Sequence, residues 1–347
     1  MKTRLIALFA AAILCAFPAE PRAKKGNKPQ RTSVETTGAA AGAGPESLWR
    51  DPGDIASRNL FYGPGGSKDA PRGRVTFIEE DLDGSNPKFV VRDEDGVKWK
   101  VKLGIEARPE TAASRLVWAA GYYANEDYFV PQLKVDNLPR HLHRGQGQAS
   151  KDGVFRNVRL KRYLKAEKKT GTWAWEENPF TGTTQINGLR VLMAVINNWD
   201  LKDENNAVYQ EKTPDGATER VYMISDLGAS FGSGNLTWPL KKSRGDLKRY
   251  RRSKLLASVR EESVDLRNPA RPWPPFWFEH PEYRMRVRMI RLGRDVPRSD
   301  ARWMGDLLGR LSPTQIRDAF RAAGYSPKEV EGFASVVEAR IAELRQL

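Results

Sequence analysis

Apolar and charged positions alternate most clearly over Val97–Leu103, where Val97, Trp99, Val101 and Leu103 are separated by Lys98, Lys100 and Lys102. A period of two predicts a strand with one buried face. Shorter apolar runs precede it at Val75–Ile78 and Phe89–Arg92, set apart by the polar turn Asp81–Lys88 and the hairpin signal Asp93-Glu-Asp-Gly96. Together they predict a three-stranded antiparallel meander. After Pro109 the period lengthens to that of a helix, with Ala113, Leu116, Val117 and Ala120 apolar within Glu110–Tyr122. Tyr128–Val135 returns to strand, and Val154–Leu160 reads as another. Thr184–Asn198 predicts a buried helix, followed by strand-like runs at Ala207–Gln210 and Arg220–Ile224. Their connection holds Pro-Asp-Gly, in which Pro presets φ and Gly supplies positive φ. The C-terminal part reads as mainly helical. Ser312-Pro-Thr-Gln315 and Ser326-Pro-Lys-Glu329 are capping boxes with Pro at the first helical position.

The start of the chain follows another logic. Lys2 and Arg4 precede an apolar run from Leu5 to Phe17, and small residues with Pro18 and Pro21 follow. This predicts a secretory signal over 1–23, cut near Ala19 or Ala23, and hence an exported protein, periplasmic or extracellular. At ~1.5 Å per residue the run is too short to cross a ~30 Å hydrocarbon core. Cys15 lies inside it, and the bulky Ile13-Leu14 ahead of it argues against a lipid-acceptor site. The stretch 24–47 is rich in Ala, Gly, Thr, Lys and Pro without periodicity and predicts a flexible linker.

Composition narrows the chemistry. One cysteine in 347 residues excludes a disulfide framework and a four-cysteine zinc site, and no disulfide-linked partner is expected. Three histidines speak against a histidine-rich metal centre. A net charge of +15 points to anionic partners. Lys161–Lys169 reads as a solvated basic face. Lys241–Lys254 holds eight basic residues against Asp246 and is a candidate dock for an anionic surface. Arg271–Phe278 reads as a proline-rich packing segment, and His141-x-His143 as a surface loop.

Between the buried helix and the following hairpin lies Asn198-Trp-Asp-Leu-Lys-Asp-Glu-Asn205, and after the hairpin comes Ile224-Ser-Asp-Leu-Gly228. The first resembles the protein-kinase catalytic loop, HRDxKxxN, with Asp, Lys and Asn in register. The second resembles the DFG segment. The resemblance implies an α+β, two-lobed protein-kinase-like fold, with a β-rich small lobe over 48–178 and a mainly helical large lobe over 179–347. It also implies ATP, Mg²⁺ or Mn²⁺, and transfer of the γ-phosphoryl group to a hydroxyl on a protein or envelope molecule. Such transfer needs a carboxylate at the attacking hydroxyl and oxygen ligands for the metal. By resemblance, Asp200 is the catalytic base, Lys202 steadies the transferred phosphate, and Asn205 with Asp226 holds the metal. Lys102 resembles the strand-three lysine that grips the phosphates, and Glu110 its ion-pair partner. The turn containing Gly84, Ser85 and Asn86 stands where kinases cover the phosphates.

There are departures. No GxGxxG is present, Asn198-Trp199 replaces His-Arg, Leu227 replaces Phe, and no APE motif follows. These point to divergent families, the HipA-like, CotH-like and secretory-pathway kinases. ATP is scarce outside the cytoplasm, so export and ATP use pull against each other. The rival expectation is a non-catalytic, pseudokinase-like protein that holds an anionic envelope or nucleic-acid partner on its basic face.

Overall fold

The computed structural model describes residues 45–347 apart from 85, 165–167, 214–215, 235–242, 269 and 271–279. The expected signal, most of the expected linker, Ser85, Lys241, Lys242 and the Arg271–Phe278 run lie outside the described residues. The first element, β1 (Glu46–Ser47), falls at the end of the expected linker. It pairs in parallel with a strand far along the chain, Glu46 opposite Arg220, and Arg220 reaches the Glu46 carboxylate at 2.7 Å. Two residues carry no periodicity, so only the distant partner defines them.

Strands β2 (Val75–Asp81), β3 (Lys88–Asp93) and β4 (Lys98–Lys102) form the expected meander. The sheet continues past it. Helix α1 (Ala107–Ala119) intervenes, and β5 (Asp127–Asp136) with β6 (Val154–Arg162) then closes a barrel in the order β2-β3-β4-β6-β5. Closure rests on β6 pairing with both β4 and β5, and on β5 lying parallel to β2 at Val75–Val135. Alternation sends Phe89, Val91, Trp99, Val101, Val158 and Leu160 into the barrel interior, each at most 1% exposed. The Trp99 indole N–H donates to the buried Asp93 carboxylate at 2.7 Å.

Helix α1 begins at Ala107, two residues ahead of Pro109. A first-turn proline loses no intrahelical bond, because N–H groups there have no partner within the helix. Its apolar face (Ala112, Ala113, Leu116, Val117) belongs to a second and larger hydrophobic cluster, as do Leu48, Ile55 and Leu60. The stretch expected to be one small lobe therefore contributes to two cores.

Strand β7 (Lys168–Gly171) lies in the run expected to be a solvated basic face. It pairs with β8 (Asn206–Lys212), which forms a hairpin with β9 (Thr218–Ile224), giving a sheet in the order β1-β9-β8-β7. A lobe boundary at 178/179 thus cuts through a sheet, a boundary that local composition could not reveal. Before the hairpin runs α2 (Thr184–Val195), capped by the Thr183 side chain on the Ile186 N–H. It stops short of Asn198 because Asn197 takes φ 53°, a left-handed conformation that ends helices.

The C-terminal part is helical, with one addition. After α3 (Leu247–Arg252), strands β10 (Leu256–Val259) and β11 (Ser263–Leu266) pair with each other. Following α4 (His280–Arg291), β12 (Val296–Pro297) joins them as a three-stranded sheet that the sequence pattern did not predict. Helices α5 (Arg298–Leu308), α6 (Pro313–Ala322) and α7 (Pro327–Arg345) complete the chain. Both expected capping boxes form, at Ser312 with Gln315 and at Ser326 with Glu329. Among the described residues, no helix is long and apolar enough to cross a membrane.

Candidate functional site

At the end of β4, the alternation that buries Trp99 and Val101 in the barrel turns Lys102 to the opposite face. Gly104, at φ 89°, then reverses the chain into α1. Glu106 and Glu110, one helical turn apart, are thereby set against the Lys102 ammonium at 2.8 and 2.9 Å. Glu110, 1% exposed, also meets Arg159 of β6 at 3.1 Å, and Arg159 reaches Asp127 at 2.7 Å. The Lys102–Glu110 pair expected from the sequence is present.

The second half of the site comes from the loops after α2 and β9. Asp226 follows β9, and both its carboxylate oxygens lie 3.2 Å from the Lys102 ammonium. The Gly228 N–H donates to the same carboxylate at 3.0 Å. The loop carrying Asp200 is braced from within. Asn198, 2% exposed, accepts the Asp200 N–H at 3.0 Å, and the Asn205 amide donates to the Asp200 carbonyl at 2.6 Å. The Asn205 carbonyl in turn accepts the N–H groups of Ser225 and Asp226 at 2.8 and 3.2 Å, which locks the two loops together. Lys202 stands 3.6 Å from the Asp200 carboxylate.

These side chains share a cleft of about 940 Å³ lined by Lys102, Glu110, Asp200, Lys202, Asn205 and Asp226, with Gly84 and Asn86 at the turn between β2 and β3. Every candidate site residue among the described ones therefore faces one cavity; Ser85 falls outside them. Arg144 holds the turn by donating to the carbonyls of Gly84, Asp81 and Asp83. Lys161 and Lys169, expected on a solvated face, line the cleft too. Lys168 and Lys169 are exposed, as expected, while Lys161 is half-buried.

Two site residues escaped sequence reading, Glu106 and Arg159, and Arg244 of the basic run Lys241–Lys254 joins them at the site. Glu106 is a hub. Its carboxylate accepts from Asn86 of the turn at 2.6 Å, from Lys102, and from Arg244 at 2.6 Å. Arg244 lies over the Trp199 ring, 4.9 Å from its centroid, and so ties the segment after Asp226 to the loop that carries Asp200. The spacing of Glu106 four residues after Lys102 was the one signal available. Arg159 sits opposite Lys102 in the β4–β6 register, which no local pattern discloses.

The electrostatics follow from burial and pairing. Burial alone would lower the Lys102 pKa, but Glu110, Asp226 and Glu106 outweigh it and raise it, so the ammonium stays charged. Burial pushes the Glu110 carboxyl up, against the pull of Arg159 and Lys102. Burial also works to raise Asp226, yet Lys102 and the Gly228 N–H hold it below its usual value, as a carboxylate. Glu106, Glu110 and Asp226 have oxygens close enough together for a metal. The Lys102 ammonium already contacts all three, so that trio is a lysine site. The set left for a divalent ion is Asp226 with Asn205. Both offer oxygen, the donor that Mg²⁺ and Mn²⁺ prefer, and both face the cleft.

No family model matches the chain, and no curated relative matches it. Among solved structures, a Helicobacter pylori proinflammatory kinase, CtkA, is similar at 10% identity over 78% of this chain and 97% of that one, with a TM-score of 0.34. The Rio2 kinase of Chaetomium thermophilum, solved as an ADP/Mg²⁺-phosphoaspartate complex, is similar at 11% identity over 78% and 72%, with a TM-score of 0.33. Both are kinases. The functional reading is carried by the side chains of the cleft, not by these likenesses.

Proposed function

We propose that this protein is a kinase-like phosphotransferase that moves the terminal phosphoryl group of a phosphoanhydride donor, ATP in the first instance, to a hydroxyl. The observation that carries the reading is the Lys102 ammonium held between Glu110 and Asp226, in the cleft that Asp200 and Asn205 also line. A buried lysine fixed by carboxylates is a preorganised cation for phosphate oxygens. Asp200, braced by Asn198 and Asn205, would accept the hydroxyl proton, with Lys202 beside it for the transferred group. Asn205 and Asp226 would hold Mg²⁺ or Mn²⁺, which when bound neutralises phosphate charge. The acceptor is proposed to be a protein or an envelope molecule, in keeping with export. Mass spectrometry of the mature N-terminus in the native host tests that part, with a start near Glu20 or Lys24 expected and an intact Met1 contradicting it.

Calorimetric titration of ATP with Mg²⁺ or Mn²⁺, beside a phosphotransfer assay, tests the chemistry. Asp226→Asn should lose metal-dependent binding. Asp200→Asn should bind as wild type but transfer ~10²–10⁴-fold more slowly, the usual cost of removing a general base. If the wild type binds no triphosphate with any divalent ion, the catalytic reading is lost. The binding-protein alternative would then account for the basic surface.

A further inference from the structure

Three adjacent barrel strands present a lattice of cations to the cleft. Lys88 on β3 stands opposite Lys102 on β4, and Lys102 opposite Arg159 on β6. In the next row Lys100 stands opposite Lys161. Neighbouring strands lie ~4.8 Å apart and alternate residues ~6.7 Å apart, so these charges form one patch. The apolar residues between them, Phe89, Trp99, Val101 and Leu160, turn into the barrel core.

In the inner row, Lys102 and Arg159 are matched by Glu106, Glu110, Asp127 and Asp226. Lys88 and the outer row have less opposite charge beside them. Lys88 and Lys100 share the Asp81 carboxylate, at 3.5 and 2.8 Å, and Lys161 donates to the Tyr209 hydroxyl at 3.2 Å. Exposed Lys169 on β7 adds another cation to the same cleft. Burial, with Lys100 and Lys102 alongside, lowers the Lys88 ammonium pKa in spite of Asp81. Among the described residues, the ion pairs of these four lysines all go to one carboxylate, Asp81.

A nucleobase is held by an apolar slot with a few placed polar groups, whereas a phosphate chain is held by cations. The apolar lining of the cleft among the described residues is small, Leu164, Ala229 and Met285, and its tyrosines are taken. Lys161 lies 5.3 Å from the Tyr209 ring centroid and Lys100 lies 5.9 Å from that of Tyr163, so each ring already carries a lysine. We infer that the wall formed by Lys88, Lys100, Lys161 and Lys169 binds the phosphate chain of the donor, and that the cleft recognises the donor by phosphate and not by base. This rests on the phosphotransfer reading and widens its donor class from ATP to oligophosphates in general. In the transfer, the anhydride P–O bond to the terminal phosphorus breaks and a P–O bond to the acceptor oxygen forms. The hydroxyl proton passes to Asp200, and the bridging oxygen leaves on the shortened chain, which the lysines retain.

The test is calorimetry with Mg²⁺ and four probes: ATP, GTP, inorganic tripolyphosphate and adenosine. ATP, GTP and tripolyphosphate should bind within about threefold of one another, and adenosine not at all. Lys100→Gln/Lys161→Gln should weaken the three phosphate ligands in parallel by about tenfold, since charge-assisted contacts are removed. Should that variant fail to melt cooperatively, the exposed Lys169→Gln serves instead, with about a threefold loss expected. The inference is overturned if ATP binds more than about tenfold tighter than tripolyphosphate, or if folded lysine variants keep wild-type affinity. Either result leaves phosphotransfer standing. Failure of the wild type to bind any of the three phosphate ligands removes both.

Discussion

An ammonium 5% exposed and in contact with three carboxylates is stable only while the opposite charges remain together. A lysine at a strand end ordinarily keeps its head in water, but this one is buried among carboxylates. Lys102→Met would leave Glu106, Glu110 and Asp226 clustered without their shared cation, and breaking a buried pair in this way costs about 3–5 kcal/mol. Urea unfolding should show that loss, and Lys102→Met/Glu106→Gln should recover part of it, while neither variant binds triphosphate. A double variant no more stable than the single one would mean that the charges are not coupled. Asp226 supplies a pH test. Its folded-state pKa is depressed, so the stability from its ionisation is in place above the unfolded value near ~3.9 and is lost as pH falls through the folded value. The stability difference between wild type and Asp226→Asn should therefore shrink as pH falls below about 4.

The elements differ in how much their own residues say. The capping boxes of α6 and α7 close within four residues, so Ser312-Pro-Thr-Gln315 and Ser326-Pro-Lys-Glu329 announce their helices wherever they occur. Ser312→Ala and Ser326→Ala should each cost about 1 kcal/mol in chemical unfolding. The meander of β2, β3 and β4 was equally legible, because alternation and a turn are local. Its closure was not, because Val75 finds Val135 only after α1 has turned the chain. The packing of α2 is tertiary in the same way. A Cβ added at Gly188 would collide with the Trp303 ring and meet the Tyr122 hydroxyl at 2.9 Å, so this glycine admits α5 and the segment just after α1 to the helix. Gly188→Ala should destabilise by about 1–3 kcal/mol through overpacking, despite the better helix propensity of alanine, and a gain in melting temperature would contradict the packing.

Across the whole molecule, the candidate site is assembled from both hydrophobic clusters. Lys102 and Arg159 come from barrel strands, while Asp200, Asn205 and Asp226 lie on loops beside α2 and β9. A ligand gripped by both sets is bound by the native state alone. Triphosphate with Mg²⁺ at a hundredfold over its Kd should add about 2.7 kcal/mol, a rise of several degrees in melting temperature. A rise confined to one of two separate transitions would show that only one cluster holds it. What could be read along the chain was chemistry acting between near neighbours: alternation in β4, the caps, and the Asp200–Lys202–Asn205 spacing that marked a candidate loop. What needed the folded molecule was every contact between distant segments. Lys102 and Asp226 meet across 124 positions, Arg244 reaches Glu106, and Lys161 lines the same cleft as both. The physical reason is that burial, partner and pKa belong to a side chain's surroundings, and here those surroundings come from remote parts of the chain.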